Sequence, residues 1–349
     1  MIQVKTEIVI IDISKNLESQ LHQAVNLILS GELVAFPTET VYGLGADALN
    51  PNAVKKIFEA KGRPSDNPLI VHVSSKSMLY RLIDRDQLSQ EAEKLIECFF
   101  PGPLTLILKK SKHVPSITTG GLDTIAVRYP SNKIAYALIK FSNTPIAAPS
   151  ANISGTPSTT TASDVLEDFN GIIPLVIDGG NTDIGLESTV VDISDSKRQI
   201  KILRPGKITL EDITSCIGVI EPQTVSNIDQ NTEVVRSPGM KYRHYAPKNQ
   251  LIFIETIDDL ITLLKNTNIR KKSFIVERGV YNKIQSRLNI LNEDQLYIYN
   301  STQELGVNLY STLRKMDRLL TIDAIVIQFK DDSGFGKSIY NRLKKAASS

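Results

Sequence analysis

The chain has 349 residues, 41% hydrophobic and 22% charged, with 40 basic against 38 acidic side chains and a formal net charge of +2. At roughly 100–200 residues per domain that length implies two domains, and the composition excludes a disordered or collagen-like chain. The small net charge argues against a dedicated nucleic-acid binder, and no apolar run approaches the roughly 20 residues of a membrane span.

Met1 to Asp12 is a short apolar, strand-like run broken by Lys5 and Glu7. It lacks the charged head, long apolar centre and small-residue cleavage site of a secretory signal. Leu17, Leu21, Ala24, Val25 and Ile28 recur at helical spacing, and Gly31 ends that helix. Leu33 to Phe36 reads as a strand ended by Pro37. Pro51 opens a second helix through Val54, Ile57 and Phe58 that stops near Gly62. Further strands are predicted at Leu69 to Val73, Leu104 to Leu108, Thr124 to Tyr129, Pro145 to Ala148, Leu175 to Asp178 and Thr189 to Ile193. Such alternation predicts an α/β domain with its functional groups in loops at strand ends.

After Cys216 the composition changes. Residues 221–233 are rich in Gln, Ser, Thr, Asn and acidic side chains and read as a linker. A basic segment, Arg236 to Pro247, follows. From Leu251 a second alternation begins, with strands at Leu251 to Ile254, Ser273 to Val276, Leu296 to Tyr299 and Ala324 to Phe329. Ser301 and Glu304 have capping-box spacing and head a helix bearing Leu305, Leu309, Leu313, Met316 and Leu320. The expected organisation is a catalytic domain at 1–216, a linker at 217–247 and a smaller Rossmann-like α/β domain at 248–349. The last carries 16 basic and 11 acidic residues. Cys98 and Cys216 lie far apart without metal-ligand spacing, so they read as two free, buried thiols in a reducing cytoplasm.

Five clusters bear on chemistry. In Phe36-Pro-Thr-Glu-Thr-Val-Tyr-Gly-Leu-Gly45 hydroxyl and acidic groups precede two glycines that let a backbone approach a ligand; a plain strand connection reads equally well. Lys61-Gly-Arg-Pro-Ser-Asp-Asn-Pro-Leu69 ends a helix, where Lys61 and Arg63 either complement its dipole or neutralise a phosphate or carboxylate beside Asn67. His72 follows in an apolar strand, a position more often held by a core histidine than a catalyst. Arg128 interrupts another apolar strand; an Arg buried there needs an anionic partner, although strand alternation equally permits an outward-facing surface Arg. Ala147 to Ser158 packs small residues and hydroxyls after a strand end, suited to an anion or simply to a loop. Asp178-Gly-Gly, Gly185 to Asp192 and Leu203-Arg-Pro-Gly206 add Ser188 and Arg204. Gly334-Phe-Gly-Lys-Ser338 is not a Walker A loop, because the required first glycine is Asp331. Basic and hydroxyl groups without a covalent nucleophile suit an anionic ligand and catalysis by placement and charge stabilisation. An RNA-binding module and a regulatory nucleotide sensor in the C-terminal unit are the competing readings.

The ordered set of motifs resembles the two-domain form of the YrdC-type L-threonylcarbamoyladenylate synthases. The marks are Pro37-Thr-Glu-Thr-Val-Tyr-Gly-Leu, Lys61-Gly-Arg-Pro with Asn67-Pro-Leu, Pro149-Ser-Ala-Asn-Ile-Ser-Gly, Glu187-Ser-Thr-Val-Val-Asp and Arg204-Pro-Gly. Ser237-Pro-Gly-Met-Lys-Tyr-Arg-His-Tyr-Ala-Pro and Asn341-Arg-Leu-Lys-Lys-Ala-Ala complete the set. The resemblance implies a YrdC-like twisted, open mixed sheet with helices. It also implies formation of L-threonylcarbamoyl-AMP and pyrophosphate from L-threonine, bicarbonate (or CO2) and ATP, the adenylate serving threonylcarbamoyladenosine modification of tRNA. It places the threonine site at Thr40, His72, Arg128, Ala148 and Ser188. It places ATP at Arg63, Asn67, Thr124, Ser150, Ser158, Arg204 and Tyr245, to which Lys61 is added on charge grounds. Arg236, Lys241, Arg243 and His244 are expected in a lid over the nucleotide. Mg2+ is expected on the ATP phosphates without a protein ligand. A downstream tRNA-modifying complex is the expected partner, in the cytoplasm, with direct tRNA binding not required.

Overall fold

The computed structural model describes residues 5–195, 200–218, 223–224, 245–266, 268–289 and 291–348. The N-terminal unit opens with β1 (Glu7–Ile10), α1 (Leu17–Leu29), β2 (Val34–Phe36), β3 (Gly43–Asp47), α2 (Pro51–Lys61) and β4 (Ile70–His72). Then come α3 (Lys76–Leu82), α4 (Gln90–Phe99), β5 (Leu104–Lys109), β6 (Thr124–Arg128), α5 (Lys133–Ser142) and β7 (Ile146–Ala147). It closes with α6 (Ala162–Phe169), β8 (Leu175–Asp178), β9 (Thr189–Asp192), β10 (Lys201–Arg204), α7 (Leu210–Ile217) and β11 (Gln223–Thr224). The strands form one mixed sheet in the order β1-β8-β2-β3-β7-β4-β6-β5-β9-β10-β11. Residues 223–224, within the expected linker, therefore extend this sheet at its edge.

Local side chains fix the helix ends. Asn16 caps α1 by accepting from the Ser19 N–H, and Asn50 caps α2 with Pro51 in its first turn. Gly62 closes α2 with φ +60°, a conformation costly for a residue bearing a Cβ. β4, β5 and β6 are buried along nearly their whole length, so they read as continuous apolar runs rather than alternating ones. α5 buries six of its ten residues against this sheet's core.

The two cysteines are joined, contrary to the expectation of free, buried thiols: Cys98 and Cys216 form a disulfide with Cα atoms 6.5 Å apart. Although 118 positions apart, they lie on α4 and α7, which pack side by side, and Ile213 and Ile217 of α7 sit in the N-terminal core. Cys98 is exposed and Cys216 half-buried.

The C-terminal unit runs β12 (Gln250–Ile254), α8 (Ile257–Asn266), β13 (Lys272–Glu277), α9 (Arg278–Leu288), β14 (Leu296–Tyr299), α10 (Thr302–Asp317), β15 (Ala324–Gln328) and α11 (Gly334–Ala347). Its four strands are all parallel, in the order β12-β15-β13-β14, which is the expected Rossmann-like alternation. Only half of the expected capping box forms on α10. Ser301 accepts from the Glu304 N–H, but the Glu304 carboxylate turns to Asn300. Leu305, Leu309, Leu313 and Met316 are buried, whereas Leu320 is fully exposed because α10 ends at Asp317.

The second unit docks on the first through α10 and α11. Arg314 reaches Asp168 at 2.6 Å and Arg318 reaches Asp164 at 2.6 Å. Val41 and Leu186 of the N-terminal unit share a core with Tyr245, Leu309, Tyr310 and Ile339. Gly185 has φ +76° and faces the carbonyls of Gly306 and Val307, so a side chain there would strike the backbone of α10. Among the described residues, no helix is long and apolar enough to cross a membrane.

Candidate active site

The site lies where β4 and β6, adjacent and parallel, reach their C-terminal ends. Their register pairs His72 with Arg128. Beside them the turn after β2 folds on itself. Thr38 Oγ1 accepts from the N–H of Thr40 at 3.1 Å and donates to the carbonyl of Val41 at 2.6 Å. Thr40 Oγ1 lies 2.9 Å from Thr38 Oγ1 and accepts from Arg128 Nη1 at 2.7 Å. The Thr38 proton is spent on Val41, so Thr40 donates to Thr38 and keeps an oxygen lone pair for the guanidinium.

Arg128 is buried, and its charge is met by Glu39, whose Oε1 lies 2.8 Å from Nη2. That approach is an ion pair without hydrogen-bond alignment. Arg128 Nη2 and Glu39 Oε2 both lack a hydrogen-bond partner. Burial works against the ionised Glu39 carboxyl, but the Arg128 guanidinium outweighs it and holds the group below its ordinary value. His72 is moved to about 3, first by burial and then by Arg128, so its ring is neutral. Its Nδ1 has no partner, and the Phe36 ring meets it edge-on at 6.3 Å.

β9 and β10 build the opposite wall. Arg204 Nε donates to the Ser188 carbonyl at 3.0 Å and Nη2 to Ser188 Oγ at 3.1 Å. Ser188 Oγ also lies 2.7 Å from Thr105 Oγ1 on β5. Glu187, also buried, belongs to this wall and accepts from Ser158 Oγ at 2.6 Å and from the Tyr310 hydroxyl at 3.0 Å.

A cleft lies between the walls. All five positions expected at threonine line it: Thr40, His72, Arg128, Ala148 and Ser188. Four of those expected at ATP line it too: Arg63, Ser150, Arg204 and Tyr245. The Ala148 N–H is committed to the Ile70 carbonyl at 2.9 Å, so a ligand would meet its carbonyl instead. Arg63 Nη2 donates to the Pro68 carbonyl at 3.1 Å.

Lys61, Asn67, Thr124 and Ser158 do not line the cleft. Lys61 is buried and donates to the carbonyls of Ser150, at 2.6 Å, and Asn152. Burial, reinforced by Arg63, lowers its pKa well below the ordinary lysine value. The structure thus places Lys61 as a brace for the loop that carries Ser150. Asn67 and Thr124 are buried, Asn67 with an unpartnered Oδ1, and Ser158 stands behind Glu187. Arg236, Lys241, Arg243 and His244 lie outside the described residues. Tyr245 is described; it is buried, with φ +65°, and stacks on Tyr310 at 5.7 Å.

Sequence reasoning passed over Thr38, Glu39 and Glu187. Each stands within two positions of a chosen residue in a quoted motif, which was the available signal. Among the described residues no group of three His, Cys, Asp or Glu side chains is placed to hold a metal. Glu187, which lines the cleft, and Glu39, beside Arg128, are already engaged by arginines, so this donor set does not suit a protein-held metal.

Fold and cleft together define a two-domain α/β protein with an arginine-lined cleft in its N-terminal unit, to whose wall Tyr245 adds. A family model described as "Telomere recombination" (Sua5, YciO and YrdC) matches residues 26–206, and one described as "Threonylcarbamoyl-AMP synthase, C-terminal domain" matches residues 208–348. The chain belongs to the Sua5/YciO/YrdC family, in its two-domain form. It is 44% identical over 348 residues to a threonylcarbamoyl-AMP synthase of Pyrococcus abyssi, covering 97% of each chain. It is 42% identical over 359 residues to one of Bacillus subtilis, covering 98% of each. A solved structure described as P. abyssi Sua5 complexed with L-threonine superposes with a TM-score of 0.85 at 44% identity, covering 98% of this chain and 97% of that one.

Proposed function

We propose that this enzyme forms L-threonylcarbamoyl-AMP and pyrophosphate from L-threonine, bicarbonate or CO2, and ATP. The observation that carries the reading is the convergence on one cleft of all five positions expected at threonine with Arg63, Ser150, Arg204 and Tyr245 of those expected at ATP. The names of the relatives and the threonine bound in the P. abyssi structure support it.

The geometry suggests a division of labour. Arg128, with an Nη2 that has no aligned acceptor, takes the threonine carboxylate. His72, held neutral, offers a hydrogen-bonding ring without adding charge beside Arg128. The threonine amine, converted to its carbamate, attacks the α-phosphorus of ATP through a carbamate oxygen. The bond from that phosphorus to the bridging oxygen breaks, and pyrophosphate leaves with the electron pair. Arg63 and Arg204 stabilise the charge on the phosphates. This is nucleotidyl transfer without a protein nucleophile, and Mg2+ enters as part of the ATP substrate. The product passes to tRNA-modifying partners in the cytoplasm, without a need for direct tRNA binding here.

Pyrophosphate release tests the reading. It should require L-threonine, bicarbonate and ATP together; release that is indifferent to threonine or bicarbonate sinks it.

A further inference from the structure

We propose that Arg342 and Tyr310, both carried by the C-terminal unit, are positioning residues for the nucleotide half of the cleft and act through Glu187. The proposal rests on the function proposed above and gives the C-terminal unit a part in it.

Glu187 directly precedes Ser188 and lines the cleft. Its Oε1 accepts from Ser158 Oγ at 2.6 Å. Its Oε2 accepts from the Tyr310 hydroxyl at 3.0 Å and from Arg342 Nε at 3.3 Å. One carboxylate therefore gathers an N-terminal loop, α10 and α11. Arg342 is 1% exposed and also donates through Nη1 to the carbonyl of Pro205, the residue after Arg204. One turn earlier on α11, Ser338 Oγ donates to the Gly206 carbonyl at 2.8 Å.

Tyr245 is held from the same side. Its ring stacks on Tyr310, and Arg342 Cζ lies 5.8 Å from the ring centroid. Thus Arg204, through its neighbour Pro205, and Tyr245, two cleft positions expected at ATP, are backed by Arg342 and Tyr310, while Ser158, outside the cleft, is bound by the carboxylate those two hold. The charged and titratable groups around Glu187 are Arg204, Arg342, Lys345, Tyr245 and Tyr310. Burial pushes the Glu187 carboxyl up, but Arg342 and then Arg204 outweigh it and keep it ionised.

The threonine half is held differently. Arg128 is gripped by Glu39, Thr40 and the Gly102 carbonyl, all in the N-terminal unit. Ser188, expected at threonine, follows Glu187 and is bonded by Arg204, but the carboxylate contact at Arg128 depends on neither, so loosening the contact at Glu187 should weaken ATP far more than threonine. A residue that served only to dock the two units would show no such asymmetry.

The test measures ATP and L-threonine affinity of the full chain by calorimetry, and KM for each substrate. Arg342→Lys keeps the charge and loses the two-pronged grip; Tyr310→Phe removes one hydroxyl and keeps the packing. Arg342→Lys should weaken ATP about tenfold and Tyr310→Phe about threefold, the losses expected of charged and neutral hydrogen bonds. L-threonine affinity should stay within about twofold in both. Arg318→Ala is the docking control, since the half-exposed Arg318 pairs with Asp164 and Glu167 across the same contact. It should bind ATP like the parent. The proposal is overturned if folded Arg342→Lys and Tyr310→Phe bind ATP as the parent does. It is equally overturned if both substrates weaken together, or if Arg318→Ala weakens ATP as much. A parent that binds ATP but fails the pyrophosphate assay would sink the proposed function and leave this proposal to be decided by the affinities.

Discussion

Glu39→Gln removes the carboxylate that pairs with Arg128 among the described residues while keeping the shape of the turn. Glu39 and Arg128 are both nearly fully buried, and their charged atoms lie 2.8 Å apart. Breaking a buried pair from one side costs about 3–5 kcal/mol, because the remaining charge is stranded. Thr40 Oγ1 and the Gly102 carbonyl still accept from Arg128, which favours the lower end. About 3 kcal/mol corresponds to a fall of about 6–12 °C in Tm for a unit of about 200 residues. Thermal melts with and without L-threonine read the effect. Threonine should recover part of the loss, because its carboxylate becomes the counter-ion of Arg128. The KM for threonine should not rise in Glu39→Gln, whereas Arg128→Met should raise it about 30-fold through loss of charge-assisted hydrogen bonds. There is a pH signature as well. The Glu39 carboxyl is depressed in the fold, so its contribution is present above the unfolded value and is lost as pH falls through the folded one. Glu39→Gln should lack that component of acid destabilisation. A variant melting within a degree or two of the parent, or one that threonine protects no better than the parent, defeats this account of the arginine.

Lys61→Met should destabilise the chain by about 2 kcal/mol and raise KM for ATP, because two loop carbonyls lose their donor; chemical denaturation and steady-state kinetics measure both. Reduction of the Cys98–Cys216 bond should lower stability by about 2–5 kcal/mol, since it releases a long loop in the unfolded chain, and melts with and without dithiothreitol decide it. His72 stays neutral down to about pH 3 in the fold, so kcat/KM for threonine should show no histidine limb between pH 5 and 8. The buried ring also disfavours the native state as pH falls from the ordinary histidine value of 6.5 towards 3, because the unfolded chain then binds the proton. A kinetic limb near pH 6.5 that vanishes in His72→Gln would contradict both statements.

The amino-acid sequence by itself determined the elements whose signals are local. The proline that opens α2, the glycine after it, the cap at Ser301, and apolar runs at β4, β5 and β6 all depend on residues a few positions apart. It also named most of the cleft, because those residues stand at strand ends in compact motifs. What is long-range was decided only in three dimensions. Cys98 and Cys216 looked free until the packing of α4 on α7 brought them together. Lys61 looked like a phosphate ligand until two carbonyls from the Ser150 loop closed on its ammonium. Glu39 and Glu187 stood in plain sight within their motifs, yet nothing local says that one meets an arginine 89 positions away and the other an arginine on the final helix. Buried charges choose their partners by where the folded chain places them and by the cost of leaving them unpaired, and no local spacing encodes either.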